Sequence, residues 1–314
     1  MPWNRWPSMD RKPGVGVILS LCDTSPIGTP RLGMSEVLAQ VAALEGAGFD
    51  SVWVPDHFLH RAPVMEVGQE VGCWEAWVAL GAIAQATSKI QIGVLVTCLP
   101  WRNPGIVARM TETLEELSGG RFVLGLGAGW HEPEYDAYGL PFDHRFSRFD
   151  DAFAILEPLL RTGKADYQGE YFSAKDAISI PRGPRGEQGG VPILFGTHGD
   201  KMIELTAKYA DAWNTCWHGK PDDAAKSLQK LLTACETVGR DPATIIKTAG
   251  VNVVLSGAGE EVPEKAISGS ADEIAAGLRA FAEAGYDHII CGIEPCTPAA
   301  IEELKAALDI FDRG

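Results

Sequence analysis

The chain has 314 residues, of which 46% are hydrophobic and 22% charged, a balance typical of a globular protein with a sizeable core. Its formal net charge is −15, from 27 basic and 42 acidic side chains, which argues against nucleic acid or an anionic membrane as a partner. The seven cysteines are never spaced as C-x-x-C, and neither a signal peptide nor a membrane-spanning apolar run is visible, so we expect reduced thiols in a cytoplasmic protein without a metal site.

Short apolar segments rich in β-branched residues alternate with segments of helical periodicity in the first half of the chain. The predicted strands cover residues 15–19, 51–54, 90–96 and 121–126. Apolar helical faces follow over residues 34–41, 74–83, 107–117 and 149–160. Asn103-Pro104 starts the third helix with an N-cap and a first-turn proline, Gly119-Gly120 ends it, and Ser147 is the expected N-cap of the fourth.

The same alternation continues in the second half after an interruption at residues 163–190, which are rich in Gly, Pro and charge and predict an insertion with a small hairpin. The later strands are predicted at residues 192–195, 211–215, 247–255 and 288–293. The later helices are predicted at residues 198–209 and 221–238, from a capping box at Ser270 and Glu273, and from Thr297-Pro298. Eight such units predict one (β/α)8 TIM-barrel domain over residues 1–314, with an open doubly wound sheet as the alternative.

Active sites of such barrels are built from residues that directly follow the strands. The turn Gly196-Thr197-His198-Gly199 runs from a predicted strand into a helix, so its backbone N–H groups and the positive end of the helix dipole favour a phosphate. An ordinary strand-to-helix turn is the alternative reading. The run Gly125 to Gly129, in which Ala128 stands between the last two glycines, either lets a flat ring approach the backbone or packs closely at the barrel rim.

Asp56 and His57 follow the second strand, where a histidine can move a proton near neutral pH and the aspartate can orient it or bond to the barrel backbone. Trp130 and His131 follow the fourth strand and are expected beside any ring held there. A metal site is the alternative, but its candidate ligands match no familiar zinc pattern. They are Asp56, His57, His60 and either His131 or His198.

Several of these motifs together resemble the bacterial luciferase-like flavin superfamily, and especially its coenzyme F420-dependent oxidoreductases. They read GFDSVWVPDHF at 48–58, LSGGRF at 117–122, GLGAGW at 125–130 and ADAWN at 210–214. The resemblance covers roughly residues 14 to 312. It implies a barrel that often forms a homodimer, a ring lying against the third strand, and a phosphate at the Gly196 turn.

The resemblance also implies particular residue roles. A non-prolyl cis peptide is expected near Leu95-Val96, and Thr97 and Asn103 match positions close to the cofactor. Asp56 and His57 match the pair found in deazaflavin-dependent sugar-phosphate dehydrogenases. Trp130 stands where those enzymes carry a catalytic glutamate, so sugar-phosphate activity is not implied.

Three functions follow from these features. The first is hydride transfer between coenzyme F420 and a small organic substrate, with His57 handling the proton. The second is an FMN-dependent monooxygenase that uses O2 and a separate flavin or deazaflavin reductase. The third is a metal-dependent hydrolase on the same barrel.

Overall fold

A closed barrel of parallel strands forms the centre of the computed structural model, which describes residues 6, 13–22, 33–61, 70–258 and 263–314. Its strands are β1 (Gly14–Ile18), β2 (Ser51–Val54), β3 (Gln91–Val94), β4 (Phe122–Gly127), β5 (Ile193–Gly196), β6 (Ala212–His218), β7 (Ile246–Val254) and β8 (His288–Glu294). Each strand pairs in parallel with the next, and β8 pairs with β1 to close the ring. The predicted TIM barrel is confirmed, and the open sheet is excluded.

Helices surround this barrel. They are α1 (Met34–Ala47), α2 (Ala76–Ala86), α3 (Pro104–Ser118), α4 (Glu132–Tyr138), α5 (Arg145–Thr162), α6 (Asp200–Tyr209), α7 (Pro221–Val238), α8 (Ala271–Glu283) and α9 (Pro298–Arg313). The predicted caps Asn103, Ser270 and Thr297 are confirmed because each side chain accepts a backbone N–H of its own first turn. The longest described helices carry too many charged residues to cross a membrane.

Three helix starts differ from the prediction. Helix α2 begins at Ala76, so Trp74 precedes it, and both Trp74 and Val78 point outward. Helix α5 begins at Arg145 rather than after Ser147, and its N-cap residue, His144, adopts a left-handed backbone conformation. Helix α6 begins at Asp200, which leaves the whole Gly196 turn outside the helix.

The insertion at residues 163–190 contains the predicted hairpin, formed by the antiparallel strands Lys164–Gln168 and Ser173–Ile178. The chain beyond it is fastened to α3 by two buried ion pairs. Arg182 reaches Glu112, and Arg185 binds Glu115 at 2.6 Å. The insertion is therefore bound to the barrel wall, and the assignment of residues 1–314 to one domain stays a prediction.

The amino-terminal end of the barrel is filled by a stacked aromatic group. Trp6 stacks on Trp53 with ring centroids 6.3 Å apart, and both rings contact His288. Ser51 Oγ lies 2.7 Å from His288 Nε2 and accepts the Trp53 indole N–H at 2.7 Å. Burial lowers the pKa of His288 to about 3, so this histidine is neutral and structural. A cavity that can hold a ligand is found at the opposite end of the barrel.

Candidate active site

A cavity of about 2120 Å³ opens at the carboxyl ends of the strands. Many of the predicted site residues line it. They are Asp56, His57, Leu95, Val96, Gly127, Ala128, Gly129, Trp130, Gly196, Thr197, His198 and Gly199. Because parallel strands of a barrel all end on one face, residues far apart in sequence meet at this cavity.

Glu134 of α4 holds His57 in place at the cavity wall. Its Oε2 lies 2.8 Å from His57 Nδ1, and its Oε1 accepts the backbone N–H groups of Phe58 at 2.6 Å and Leu59 at 3.1 Å. Burial raises the pKa of Glu134, but the His57 ring and these two N–H groups outweigh it, so the net pKa is lowered. An ionised carboxylate only accepts, so Nδ1 carries a proton, and in the neutral ring Nε2 is the nitrogen that can accept another.

Two further aromatic rings restrict the orientation of His57. His60 contacts it edge to face at 4.5 Å between centroids, and Trp130 does so at 5.7 Å. Burial, with the neighbouring His57 second, lowers the pKa of His60 to about 4 and keeps that ring neutral. Trp130 remains 57% exposed, so its indole forms an open wall of the cavity beside His57.

Asp56 does not orient His57, and that proposed role for it is wrong. Its carboxylate binds both terminal nitrogens of Arg102, at 2.6 and 2.9 Å, and accepts the N–H of Cys98 at 3.1 Å. Arg102 also reaches Glu75 at 2.9 Å. Successive side chains of an extended segment point in opposite directions, so neighbours in sequence have separate partners here. Asp56 fixes the loop after β3 to the end of β2.

The glycines at residues 125–129 leave space that neighbouring atoms of the protein occupy. A Cβ at Gly125 would lie 2.0 Å from the carbonyl oxygen of Val94, and one at Gly127 would lie 2.6 Å from Val96 Cγ2. Gly129, with φ +80°, leaves space for the Tyr135 hydroxyl, which a Cβ would approach to 1.9 Å. Close packing at the barrel rim therefore explains these glycines, while Gly127 and Gly129 also line the cavity.

The cis peptide implied by the resemblance is present between Leu95 and Val96. It directly follows β3, and both residues line the cavity. Val96 sits over Gly127 of β4 and over Gly196 of β5, where an added Cβ would lie 2.8 Å from its Cγ1. This part of the cavity floor is apolar and offers a shelf for a flat ring.

The Gly196 turn lies where an anion site was expected. Gly199 is the N-cap residue of α6 and has no side chain with which to cap it. Two basic side chains also line this cavity, Arg145 of α5 and Lys201 of α6, and the sequence did not place Lys201 in the site. Phe146, in the first turn of α5, has its ring centroid 5.2 Å from Lys201 Nζ. Basic charge and an uncapped helix start together suit an anionic group.

Three predicted cofactor residues do not line the cavity. Asn103 caps α3, accepting the N–H of Gly105 at 2.9 Å. His131 is buried, and its Nε2 accepts the N–H of Arg61 at 3.2 Å. Thr97 is also buried and outside the cavity surface. Direct cofactor contact by these residues stays a prediction without geometric support.

Among the described residues, no group of three or more His, Cys, Asp or Glu side chains has an arrangement that could hold a metal ion. The proposed ligands bond instead to the protein. Asp56 binds Arg102, and His57 binds Glu134.

The expectation that all cysteines are free thiols is wrong for one pair. Cys22 and Cys73, 51 residues apart, form a disulfide, and Cys22 lines the cavity. The N–H of Trp74 donates to the carbonyl of Leu21 at 2.9 Å, which holds the two cysteine segments side by side. This contact joins segments distant in sequence, so cysteine spacing alone did not reveal it.

Comparison with known proteins places the barrel in a family. A family profile described as luciferase-like monooxygenase matches residues 15–266. A phthiodiolone/phenolphthiodiolone dimycocerosates ketoreductase of Mycobacterium kansasii is 29% identical over 286 residues, which are 83% of this chain and 76% of that protein. Relatives of the same name are matched over 63% of their length.

Two solved structures have a similar fold. An F420-dependent secondary alcohol dehydrogenase in complex with an F420-acetone adduct matches with a TM-score of 0.80 at 24% identity, over 96% of this chain and 99% of that one. A riboflavin lyase with modified FMN and riboflavin matches with a TM-score of 0.77 at 14% identity, over 96% of this chain and 92% of that one.

The fold, the strand-end cavity and the matched family define the protein as a TIM-barrel oxidoreductase. The chain belongs to the luciferase-like monooxygenase family.

Proposed function

We propose that this protein is a coenzyme F420-dependent oxidoreductase that exchanges a hydride with a small organic alcohol or ketone. The observation that carries the proposal is the His57–Glu134 pair, 2.8 Å apart at the wall of the cavity. Oxidation of an alcohol to a ketone releases a proton as well as a hydride, and the free Nε2 of His57 is suited to accept that proton.

The residues present fit a flat ring with an anionic tail. Leu95, Val96 and Ala128 supply an apolar shelf at the ends of β3 and β4. Lys201 and Arg145 supply positive charge, in a chain whose net charge is −15. F420 carries carboxylates beyond its phosphate, whereas FMN ends at its phosphate, so a cavity lined by both Arg145 and Lys201 suits F420.

When bound, a deazaflavin would supply the hydride chemistry. The chain's own residues supply the proton chemistry. In alcohol oxidation, His57 Nε2 accepts the hydroxyl proton while Nδ1 keeps its bond to Glu134. The carboxylate then balances the positive charge on the ring, and ketone reduction returns the proton from the same nitrogen. Trp130 and His60 hold the ring in this position.

The alternative is an FMN-dependent monooxygenase that uses O2 and a separate reductase. The family description and the similar fold with modified FMN favour it. A homodimer and a cytoplasmic location are further proposals, and the Cys22–Cys73 disulfide removes reduced thiols as an argument for that location.

Side-by-side binding titrations with F420 and FMN test the cofactor assignment. We expect F420 to bind more tightly, and Arg145→Ala and Lys201→Ala each to weaken F420 about tenfold, the equivalent of one charge-assisted hydrogen bond. Lys208→Ala, an exposed lysine in the last turn of α6, is the control and leaves binding unchanged. Tight FMN binding with oxygen consumption and no F420 binding would favour the monooxygenase.

A further inference from the structure

Trp217 belongs to β6, which stands opposite β2 in the ring of eight strands, whereas His57 follows β2. Trp217 lines the cavity and is 38% exposed, so part of its ring surface is open to a ligand. Added Cβ atoms at Gly250 of β7 and Gly292 of β8 would lie 3.1 and 3.3 Å from Cζ3 of this indole. The six-membered part of the ring therefore rests on the backbones of two neighbouring strands.

The two glycines keep this indole low in the cavity. Side chains at these positions would meet the ring at distances tighter than ordinary contact. Ile18 of β1 stands at the same place, because a Cβ at Gly292 would lie 3.7 Å from its Cγ2. Trp217 and Ile18 thus form an apolar floor over the β6, β7, β8 and β1 side of the mouth.

The cavity also has an indole in its wall, since Trp130 beside His57 is more than half exposed. Both indoles line the cavity and are partly exposed. An uncharged group with hydrocarbon surface suits such surroundings, because burying it gains free energy in proportion to the apolar area removed from water.

We propose that Trp217 is the floor of the substrate pocket and limits the size of the hydrocarbon group that the pocket accepts. The substrate class is then an uncharged ketone or secondary alcohol with an apolar substituent. The assignment of a ketone or alcohol as the reacting group rests on the proposed function. The limit on the size of the apolar substituent follows from the position of the Trp217 indole alone. Trp217 is a specificity-determining residue, and His57 remains the proton-handling group.

Two substitutions change the floor in opposite directions. Trp217→Ala removes the indole, and Gly292→Ala adds a methyl group 3.3 Å from Cζ3, which lifts the ring by a few tenths of an ångström. Trp74→Ala removes a half-exposed indole outside the cavity and is the matched control. Calorimetric titration measures binding of acetophenone and of the larger acetylnaphthalene to each full-length protein, first without cofactor and then with F420.

We expect Trp217→Ala to raise the preference for acetylnaphthalene over acetophenone about tenfold. This is the low end of the discrimination that a single methylene group produces in an apolar pocket. Gly292→Ala should lower that preference, and Trp74→Ala should not change it. Equal preferences in all four proteins, with or without cofactor, would overturn the inference. A chain that binds no F420 refutes the proposed function, while its cofactor-free titration still decides the role of Trp217. If Trp217→Ala does not fold, an unchanged preference in Gly292→Ala overturns the inference.

Discussion

Replacing Glu134 by glutamine changes the proton on His57 while the fold around it stays in place. A glutamine oxygen can keep accepting the N–H groups of Phe58 and Leu59, which both bind one carboxylate oxygen. The amide nitrogen then faces His57 Nδ1, 2.8 Å away in the native protein, and donates to it. His57 must then adopt its other tautomer, in which Nε2 already carries a proton and cannot accept one from the substrate.

The expected cost of Glu134→Gln differs between stability and turnover. Two backbone hydrogen bonds lose their charge but keep an acceptor, so unfolding becomes easier by about 1–3 kcal/mol. Alcohol oxidation loses its proton acceptor, and we expect turnover to fall about 10²- to 10⁴-fold, the usual contribution of general acid–base catalysis. F420 affinity should stay within about twofold, because Glu134 hydrogen-bonds to His57, Phe58 and Leu59 rather than to the basic residues Arg145 and Lys201.

The assay is F420-dependent oxidation of isopropanol, with F420 binding and urea unfolding measured on the same samples. The control is Glu132→Gln, an exposed glutamate two residues earlier at the start of α4. If Glu134→Gln turns over as fast as Glu132→Gln, His57 does not work through its tautomer and the mechanism is wrong.

Three other predictions concern stability. The pKa of Glu134 is lowered on folding, so its contribution to the free energy of unfolding is present above the ordinary pKa of 4.5 and is lost as the pH falls through the lower folded pKa. Glu134→Gln should therefore flatten the acid side of a plot of stability against pH. Gly129→Ala, at φ +80° and 1.9 Å from the Tyr135 hydroxyl, should destabilise by about 2–4 kcal/mol in urea, whereas Gly139→Ala, at φ +65° in open space, should cost about 1–2 kcal/mol; equal losses would contradict the packing argument. Opening the Cys22–Cys73 disulfide, which links residues 51 apart, should cost about 4 kcal/mol, so a reductant should lower the Tm of the native chain but not of Cys73→Ser.

The barrel could be predicted because its signals are local. Buried parallel strands are short apolar runs, and the caps at Asn103, Ser270 and Thr297 appear as residue types next to helix starts. The topology then placed strand-end residues such as His57 and Gly196 around one cavity. Chain position alone was enough for this step.

The partners within the site could not be predicted, because they depend on side-chain direction. Asp56 and His57 are adjacent in sequence but point to different partners, Arg102 and Glu134. Glu134 lies on the short helix α4, in a segment between the predicted strand at 121–126 and the predicted helical face at 149–160 for which no helix is predicted. Its single available signal was a glutamate shortly after Trp130, and that signal does not distinguish it from the exposed Glu132.

Lys201 and Trp217 were missed for a related reason. Lys201 follows the Gly196 turn, and Trp217 lies in the part of β6 beyond the predicted strand at 211–215. Both line the cavity because of how neighbouring elements pack. Trp217 depends on glycines at positions 250 and 292, on two other strands. Such coincidences across strands have no signature within a single segment of sequence.

A rapid-mixing experiment tests the central claim most directly. Native protein and His57→Asn, each saturated with F420, are mixed with isopropanol while the absorbance of the oxidised deazaflavin is followed. We predict that the native protein reduces its cofactor and that His57→Asn binds F420 equally well but reduces it at least about 10²-fold more slowly. Equal rates in the two proteins, or no F420 binding by the native chain, would contradict the account.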